Sequence, residues 1–566
     1  MHRINITNRW LPYAMILPTF ILICVFKIYP IFNTVFKSFQ DGSGHLSIEN
    51  YSNLFSDKTF TNSLWVTLKF NLIIIPVQVV IALVMALLVN LKISGVKVFR
   101  TIFYLPFCIS LSIATVIWDI LLNINNGFVN SFLSVFGIPK IGFLIDKRYA
   151  LLSIIFICSW RGCAYWMMFF LAGLKGIGRD IYEASLVDGA GFWKRLFRIT
   201  IPLLKNTILF ILVANTTANF LLFAPVQITT EGGPQGSTNV LMYEAYKSAF
   251  VYSNQRRESA IVSIVLLIIM GICIIQQVTL RRNDDMKNSR IIARNIIIYI
   301  VFIVMAFVSL FPILYCVSAS LRTPQNLTES MLPFTIWSVI PNKITLENYI
   351  IIFTKFDFWR PMMNTLIVTI FTIIFGCILN ALAAFAFTCF EFKGRKLFFA
   401  LNMISFMVPF EAIAIPLYSV ADGLNMIDTY AGMIIPAVAD GLVIYLFIQF
   451  FKEMPISLIE AARVDGASWL KIFFGVVMPI SVSVFATAAL MIFMSQWNSY
   501  MWPLLVARSK DIRTIQLAIS AFKGDRSVKW TYIYAASTIS AAIPIIMFIP
   551  LQKYYVEGIT AGSVKE

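Results

Sequence analysis

Residues 183–202 read EASLVDGAGFWKRLFRITIP, and residues 460–479 read EAARVDGASWLKIFFGVVMP. Sliding the sequence on itself by 277 residues superposes Glu183 on Glu460, Ala184 on Ala461, Asp188 on Asp465, Gly189 on Gly466, Lys194 on Lys471 and Pro202 on Pro479. Each stretch is a polar island between long apolar runs. The repeat therefore says how many structural units the chain holds, and that both islands lie on the same side of whatever the apolar runs cross.

Working outward, the 566 residues are 59% hydrophobic and only 13% charged, more apolar surface than a water-soluble core can hide. Runs of about 18 or more apolar residues read as membrane spans. Six such runs precede residue 281 and six follow residue 294, the third of the second set being Leu397–Val420. Each island falls between the fourth and fifth run of its half. The expected fold is an all-α polytopic membrane protein with about 12 transmembrane helices, built as two six-helix units of like orientation. A pseudo-two-fold along the membrane normal would relate them, and a transport path is expected at such an interface. The expected division is residues 1–280 for the first unit, a polar cytoplasmic linker at 281–294, and 295–566 for the second. Met286 stands where a separate second subunit could start, so the chain reads as a fusion of two ancestral ones.

The net charge of +17 comes from basic residues scattered through short loops, which fits positive-inside topology and lipid headgroup contact rather than nucleic acid. Charge orients only the first half, with its island on the cytoplasmic side; both termini and both islands are expected on that side. In the second half the segment RSKDIRTIQLAISAFKGDRSVK is expected outside and cancels the bias, so there the repeat sets the orientation. The eight cysteines lie in or beside apolar runs without a CxxC pair, and the two histidines are too few for a metal site. The segment after Trp10 has no small-residue cleavage site and reads as an anchor rather than a signal peptide.

The island is built as a helix, a bend and a second helix. Residues 181–187 favour helix, with Glu183 early in it where its charge suits the macrodipole. Gly189 permits a backbone bend, residues 192–199 start the next helix, and Pro202 marks entry into the following span. Such an elbow presents an apolar side, Ala184 and Val187 or Ala461 and Val464, to a partner's groove, with Glu and Asp to meet basic residues there.

The pattern Glu-Ala-Ala, three residues, Gly, nine residues, Ile-x-Leu-Pro resembles the coupling loop of ABC importer permeases, by which membrane subunits dock on cytoplasmic ATPase subunits. Ser185 departs from it at the second Ala, Ile201 at the Leu, and Val476 and Met478 at the Ile and Leu of the second copy. TTEGGPQGST at 229–238 resembles the external loop after the fifth helix of the first permease in carbohydrate importers of the maltose and glycerol-3-phosphate kind. LAAFAFTCFEFKGRK at 382–396, WNSYMWPL at 497–504 and the ending YYVEGITAGSVKE resemble the second permease. The resemblance covers nearly the whole chain, except that the first half lacks the large external domain of the maltose type. It implies a sugar-transporting permease in a prokaryotic plasma (inner) membrane. It also implies two cytoplasmic ATPase subunits and an external or periplasmic solute-binding protein as partners. Glu183, Ala184, Asp188, Gly189, Glu460, Ala461, Asp465 and Gly466 would be the ATPase-coupling residues. The chain itself would be no enzyme: it has no GxxxxGK[ST] loop to cradle phosphates, and ATP and Mg would bind to the partners.

Polar groups in mid-span mark a packed interface or a wet path. Asn215 and Asn219, four residues apart, share a helical face. By the resemblance they match sugar contacts of the first subunit, and helix–helix hydrogen bonding is the alternative. Trp160, Gly162 and Tyr165 likewise match family positions, with Gly and Tyr lining the site. Arg161 stands where the maltose type has an apolar residue. It points either to an anionic or hydroxyl-rich substrate or to a clamp on backbone carbonyls. Trp497 and Asn498 match a structural pair. Two rival functions are an ion-coupled secondary transporter, which would want intramembrane carboxylates, and a fused ABC permease for polyamine or ferric iron, which the GGP loop disfavours.

Overall fold

A computed structural model gives the structure of the protein and describes residues 10–91, 95–280, 295–331, 334–407, 410–524 and 528–563. Those residues are helical, with no strand beyond an isolated bridge between Gln40 and Leu46. Among them, eight helices are each long and apolar enough to cross a membrane, and the count reaches 11 when each of three sharply bent helix pairs is taken as one span. The expected span Leu397–Val420 is carried by helices Arg395–Met407 and Phe410–Gly423, and residues 408–409 between them lie outside the described residues. The linker 281–294 also lies outside them.

The bent pairs have identifiable local causes. Helices Val96–Cys108 and Leu111–Leu121 meet at 94°. Ile109 and Ser110 between them are extended, and the Ser110 hydroxyl accepts from the Ile113 amide at 3.1 Å to open the second helix. Helices Tyr430–Val438 and Gly441–Glu453 meet at 40°. There Ala439 and Asp440 are extended, and an Asp440 carboxylate oxygen caps the amides of Leu442 and Val443 at 2.8 and 3.3 Å. Helices Trp469–Ile480 and Val482–Trp497 meet at 84°, just after Pro479.

The chain forms two compact units, and each draws on both halves of the sequence. One comprises Met1–Phe36, Arg360–Ile515 and Met547–Glu566. Its core gathers Phe385, Phe390, Phe447, Phe451 and Phe473, all buried. Helix Leu11–Ile23 belongs to it: Phe20 meets the Phe398 ring at 4.5 Å, and Tyr13 and Thr19 donate to the Lys393 and Leu379 carbonyls at 2.8 and 2.9 Å. The other unit comprises Lys37–Trp359 and Gln516–Ile546. Within it, helices Lys58–Val89 and Ala150–Gly176 pack closely. Phe302 stacks on Phe103 at 5.8 Å, and Gln516 accepts from the Ser110 hydroxyl at 2.5 Å. The sequence repeat is a division of the chain and the compact units are a division of packing, and the two do not coincide. A helix that is apolar all round carries no mark of which neighbours it will take.

Candidate functional site: paired elbows and a polar cluster

Each island folds as a helix closed by a left-handed glycine. In the first, helix Arg179–Val187 ends where Asp188 donates its amide to the Ala184 carbonyl at 3.0 Å and Ala190 to that of Ser185 at 2.9 Å, with Gly189 at φ +67°. In the second, helix Ile456–Val464 ends with Asp465 to Ala461 and Ala467 to Ala462, both at 3.0 Å, and Gly466 at φ +77°. This is a Schellman closure in both copies, and it requires a residue that accepts positive φ. A Cβ on either glycine would meet nothing within 4 Å, so backbone conformation and not space dictates the glycine.

The correspondence continues past the bend. Helical turns Phe192–Arg195 and Trp469–Ile472 are followed by π-helical segments Leu196–Thr200 and Phe473–Val477, then by proline-containing turns Ile201–Leu203 and Met478–Ile480. All start 277 residues apart. Glu183, Ala184, Asp188 and Gly189 are exposed, as are Glu460, Ala461, Asp465 and Gly466. The undersides are anchored: Ser185 and Ala190 are buried in one unit, and Ile459, Ile472 and Phe473 in the other. Val464 is 88% exposed at the tip of its elbow, and the Val187 side chain lies outside the described residues.

The mid-span residues fall into two groups within the unit that holds the first elbow. In the first, Asn219 Nδ2 donates to Asn215 Oδ1 at 2.6 Å, to the Asn215 carbonyl at 3.0 Å and to Gln78 Oε1 at 3.2 Å. Gln78 Nε2 donates in turn to the Cys158 carbonyl at 3.2 Å. Gly162 leaves the room for this: a Cβ there would stand 2.5 Å from Gln78 Nε2 and 2.9 Å from its Cδ. In the second group, Arg161 Nε donates to the Ile109 carbonyl at 2.8 Å. Its guanidinium lies 4.8 Å over the Phe107 ring, which stacks on Tyr165 at 4.6 Å. The helix break orphans the Ile109 carbonyl inside a span, and Arg161 supplies its partner. Trp160 belongs to neither group; its indole donates to the Val308 carbonyl at 2.9 Å and its ring meets Trp118 edge-on at 6.0 Å.

A family model described as the binding-protein-dependent transport system inner membrane component matches residues 78–284 and again residues 380–558, together more than half of the chain. The chain belongs to this family. It is 30% identical over 265 residues, 47% of the chain and 94% of the relative, to the arabinooligosaccharides transport system permease protein AraQ of Halalkalibacterium halodurans. It is 30% identical over 277 residues, 48% of the chain and 93% of the relative, to the sn-glycerol-3-phosphate transport system permease protein UgpA of Escherichia coli O157:H7. Among solved structures, a bacterial ABC transporter involved in the import of the acidic polysaccharide alginate is similar at 24% identity and TM-score 0.45, over 49% of this chain and 96% of that one. The protein is thus a multi-pass membrane permease with two family units in one chain, a transport component rather than an enzyme.

Several of the permease's polar residues escape a motif-led reading. Gln78 is visible in sequence only as a lone amide within IIIPVQVVIALV. Asp119 sits in an apolar run, and its partner Lys523, at 2.8 Å, comes from the far half of the chain. Lys523 also donates to the Ile228 carbonyl at 2.6 Å, next to the GGP loop. The segment expected as an outer loop is here partly a helix, Ile515–Gly524, with Ile515, Gln516 and Ile519 buried. The GGP loop is itself pinned: Asn62 donates to the Gly236 carbonyl at 2.8 Å, and Asn239 to the buried Glu244 at 2.9 Å. Arg257 joins Glu244 and Asp57 at 2.9 and 2.6 Å.

Proposed function

We propose that the chain supplies both permease units, 1–280 and 295–566, of an ATP-driven importer for a sugar, oligosaccharide or sugar derivative. Each elbow docks one cytoplasmic ATPase subunit, both termini face the cytoplasm, and an external solute-binding protein delivers the substrate. The observation that carries the docking role is the duplicated elbow: two loops of the same closure, exposed on their acidic face and anchored beneath. The relatives named for arabinooligosaccharide and glycerol-3-phosphate transport support the substrate class. ATP-driven closure of the ATPase pair pushes on both elbows and turns the path outward; hydrolysis on the partners, where ATP and Mg bind, resets it. Within the path, the carboxamides of Asn215 and Asn219 offer hydrogen bonds to sugar hydroxyls, and Tyr165 offers an aromatic face to C–H surfaces.

Charge reversal tests the docking. Glu183→Lys combined with Glu460→Lys should abolish co-purification of the ATPase subunits while leaving the permease monodisperse in detergent. Either single change should weaken it only in part. Undiminished pull-down by the double variant would sink the docking role.

A further inference from the structure

We propose that Gln78 is a positioning residue for the hydroxyl-binding pair Asn215 and Asn219, and that Gly162 serves as the seat that holds Gln78 in place. The proposal rests on the reading that these two asparagines contact the transported sugar.

The argument is one of hydrogen-bond polarity. The Cys158 carbonyl can only accept, so the Gln78 atom facing it, at 3.2 Å, must be the amide nitrogen. Gln78 Oε1 is then the atom turned toward Asn219, which must answer with its NH2 group, at 3.2 Å. The Asn215 backbone carbonyl, also accept-only, reinforces that orientation at 3.0 Å. Asn219 Nδ2 therefore meets Asn215 Oδ1, at 2.6 Å, and the Asn215 carboxamide is left with its nitrogen turned away from this contact. A backbone oxygen on one helix thus fixes, through Gln78, the orientation of two side chains on another.

What the relay leaves over is a small polar remainder. Asn215 is fully buried, and its Nδ2 has no hydrogen-bond partner among the described residues. Asn219 Oδ1 accepts no hydrogen bond among the described residues, although Asn219 Nδ2 is surrounded by three acceptors. The cluster so presents one unused donor and one unused acceptor a helical turn apart. A hydroxyl is both donor and acceptor, and a pair of neighbouring hydroxyls on a sugar matches this remainder. A flipped Asn219 would set its oxygen against Gln78 Oε1 and the Asn215 carbonyl, and the remainder would be lost. Gln78 itself is only 2% exposed and forms its bonds within the protein, so it acts through Asn219 and not on the sugar.

The test uses the full chain with its ATPase and binding protein in proteoliposomes, and tritiated arabinotriose, maltotriose and glycerol 3-phosphate as probes. Half-saturation and maximal rate are read at saturating binding protein, alongside the thermal unfolding midpoint. Gln78→Leu should raise half-saturation about tenfold, with the maximal rate and the midpoint close to the parent's. Gly162→Ala, which removes no polar group and covers any failure of Gln78→Leu to fold, should do the same by displacing Gln78. In a Gln78→Ala background, Gly162→Ala should cost nothing further. Unchanged half-saturation in Gln78→Leu and Gly162→Ala, with Asn219→Ala defective, would overturn the positioning role alone. An equal penalty for Gly162→Ala in both backgrounds would do so too. Wild-type kinetics in Asn219→Ala, or no uptake of any of the three probes, would remove the pathway reading and this proposal with it.

Discussion

The fourth apolar run of each half, set side by side, solves the same packing problem in two ways. In the first half helix Ala150–Gly176 runs unbroken, and Gly162 leaves a notch in which the Gln78 amide sits. In the second half the position 277 residues on is Ala439, and there the span breaks. Asn380, which opens the second family match as Gln78 opens the first, takes both loose ends of the break. Its Nδ2 donates to the Val438 carbonyl at 2.9 Å and its Oδ1 accepts from the Asp440 amide at 3.3 Å. One amide orients other side chains, whereas the other repairs backbone. Each half thus sets one span amide beside its fourth run, and the backbone near each decides what the amide does.

The sharpest way to break this comparison is to remove each amide. Asn380→Leu strands a carbonyl and an amide inside a membrane span, each costing about 1–3 kcal/mol. It should give the largest fall in unfolding midpoint, followed by fluorescence-detected size exclusion after heating. Gln78→Leu strands less, because the Cys158 carbonyl keeps its helical partner and Asn219 keeps Asn215. Equal falls would erase the division of labour. Arg161→Gln comes next. It removes the partner of the Ile109 carbonyl and the stack on Phe107, and is expected to cost about 1–3 kcal/mol. Uptake of neutral and acidic sugars should drop together; selective loss of acidic ones would instead make Arg161 a ligand contact.

How much of this was legible in the sequence depends on whether the deciding interaction is local. The elbows were legible because the closure lies within a dozen residues and needs Gly189 or Gly466 at a fixed place. The long spans were legible from apolar length alone. The breaks at Ile109–Ser110 and Ala439–Asp440 were not, since the apolar runs resume on the far side of both and a capping side chain decides the matter. Asn215 and Asn219 were legible as a shared face, but their orientation depends on Gln78 in a distant helix. Arg161 was legible as costly in mid-span, and only the fold shows that an orphaned carbonyl answers it. The pairing of Asp119 with Lys523 joins opposite halves of the chain, beyond any local pattern.

The smallest effect separates the two elbows themselves. Gly189→Ala and Gly466→Ala each force an L-residue into positive φ, which costs about 1–2 kcal/mol, with no steric contribution because nothing lies near the added Cβ. The backbone penalty is the same, yet the surroundings differ. In the second elbow Arg463 Nη1 donates to the Ala467 carbonyl at 2.8 Å, its guanidinium lies 4.6 Å over the Trp469 ring, and Ser468 caps the next turn through the Lys471 amide at 3.3 Å. The first elbow has Leu186 and Gly191 at the positions of Arg463 and Ser468, and Gly191 has no side chain to cap the helix it precedes. A strained Gly466→Ala elbow is therefore held to its shape by neighbours, while a strained Gly189→Ala elbow can open. Amide hydrogen exchange across residues 188–192 should accelerate more in Gly189→Ala than exchange across 465–469 does in Gly466→Ala. ATPase pull-down should weaken in the same order. Matching acceleration in both would mean that the braces around Arg463 and Ser468 do not stiffen the second elbow, and that the two elbows are as alike in mechanics as they are in sequence.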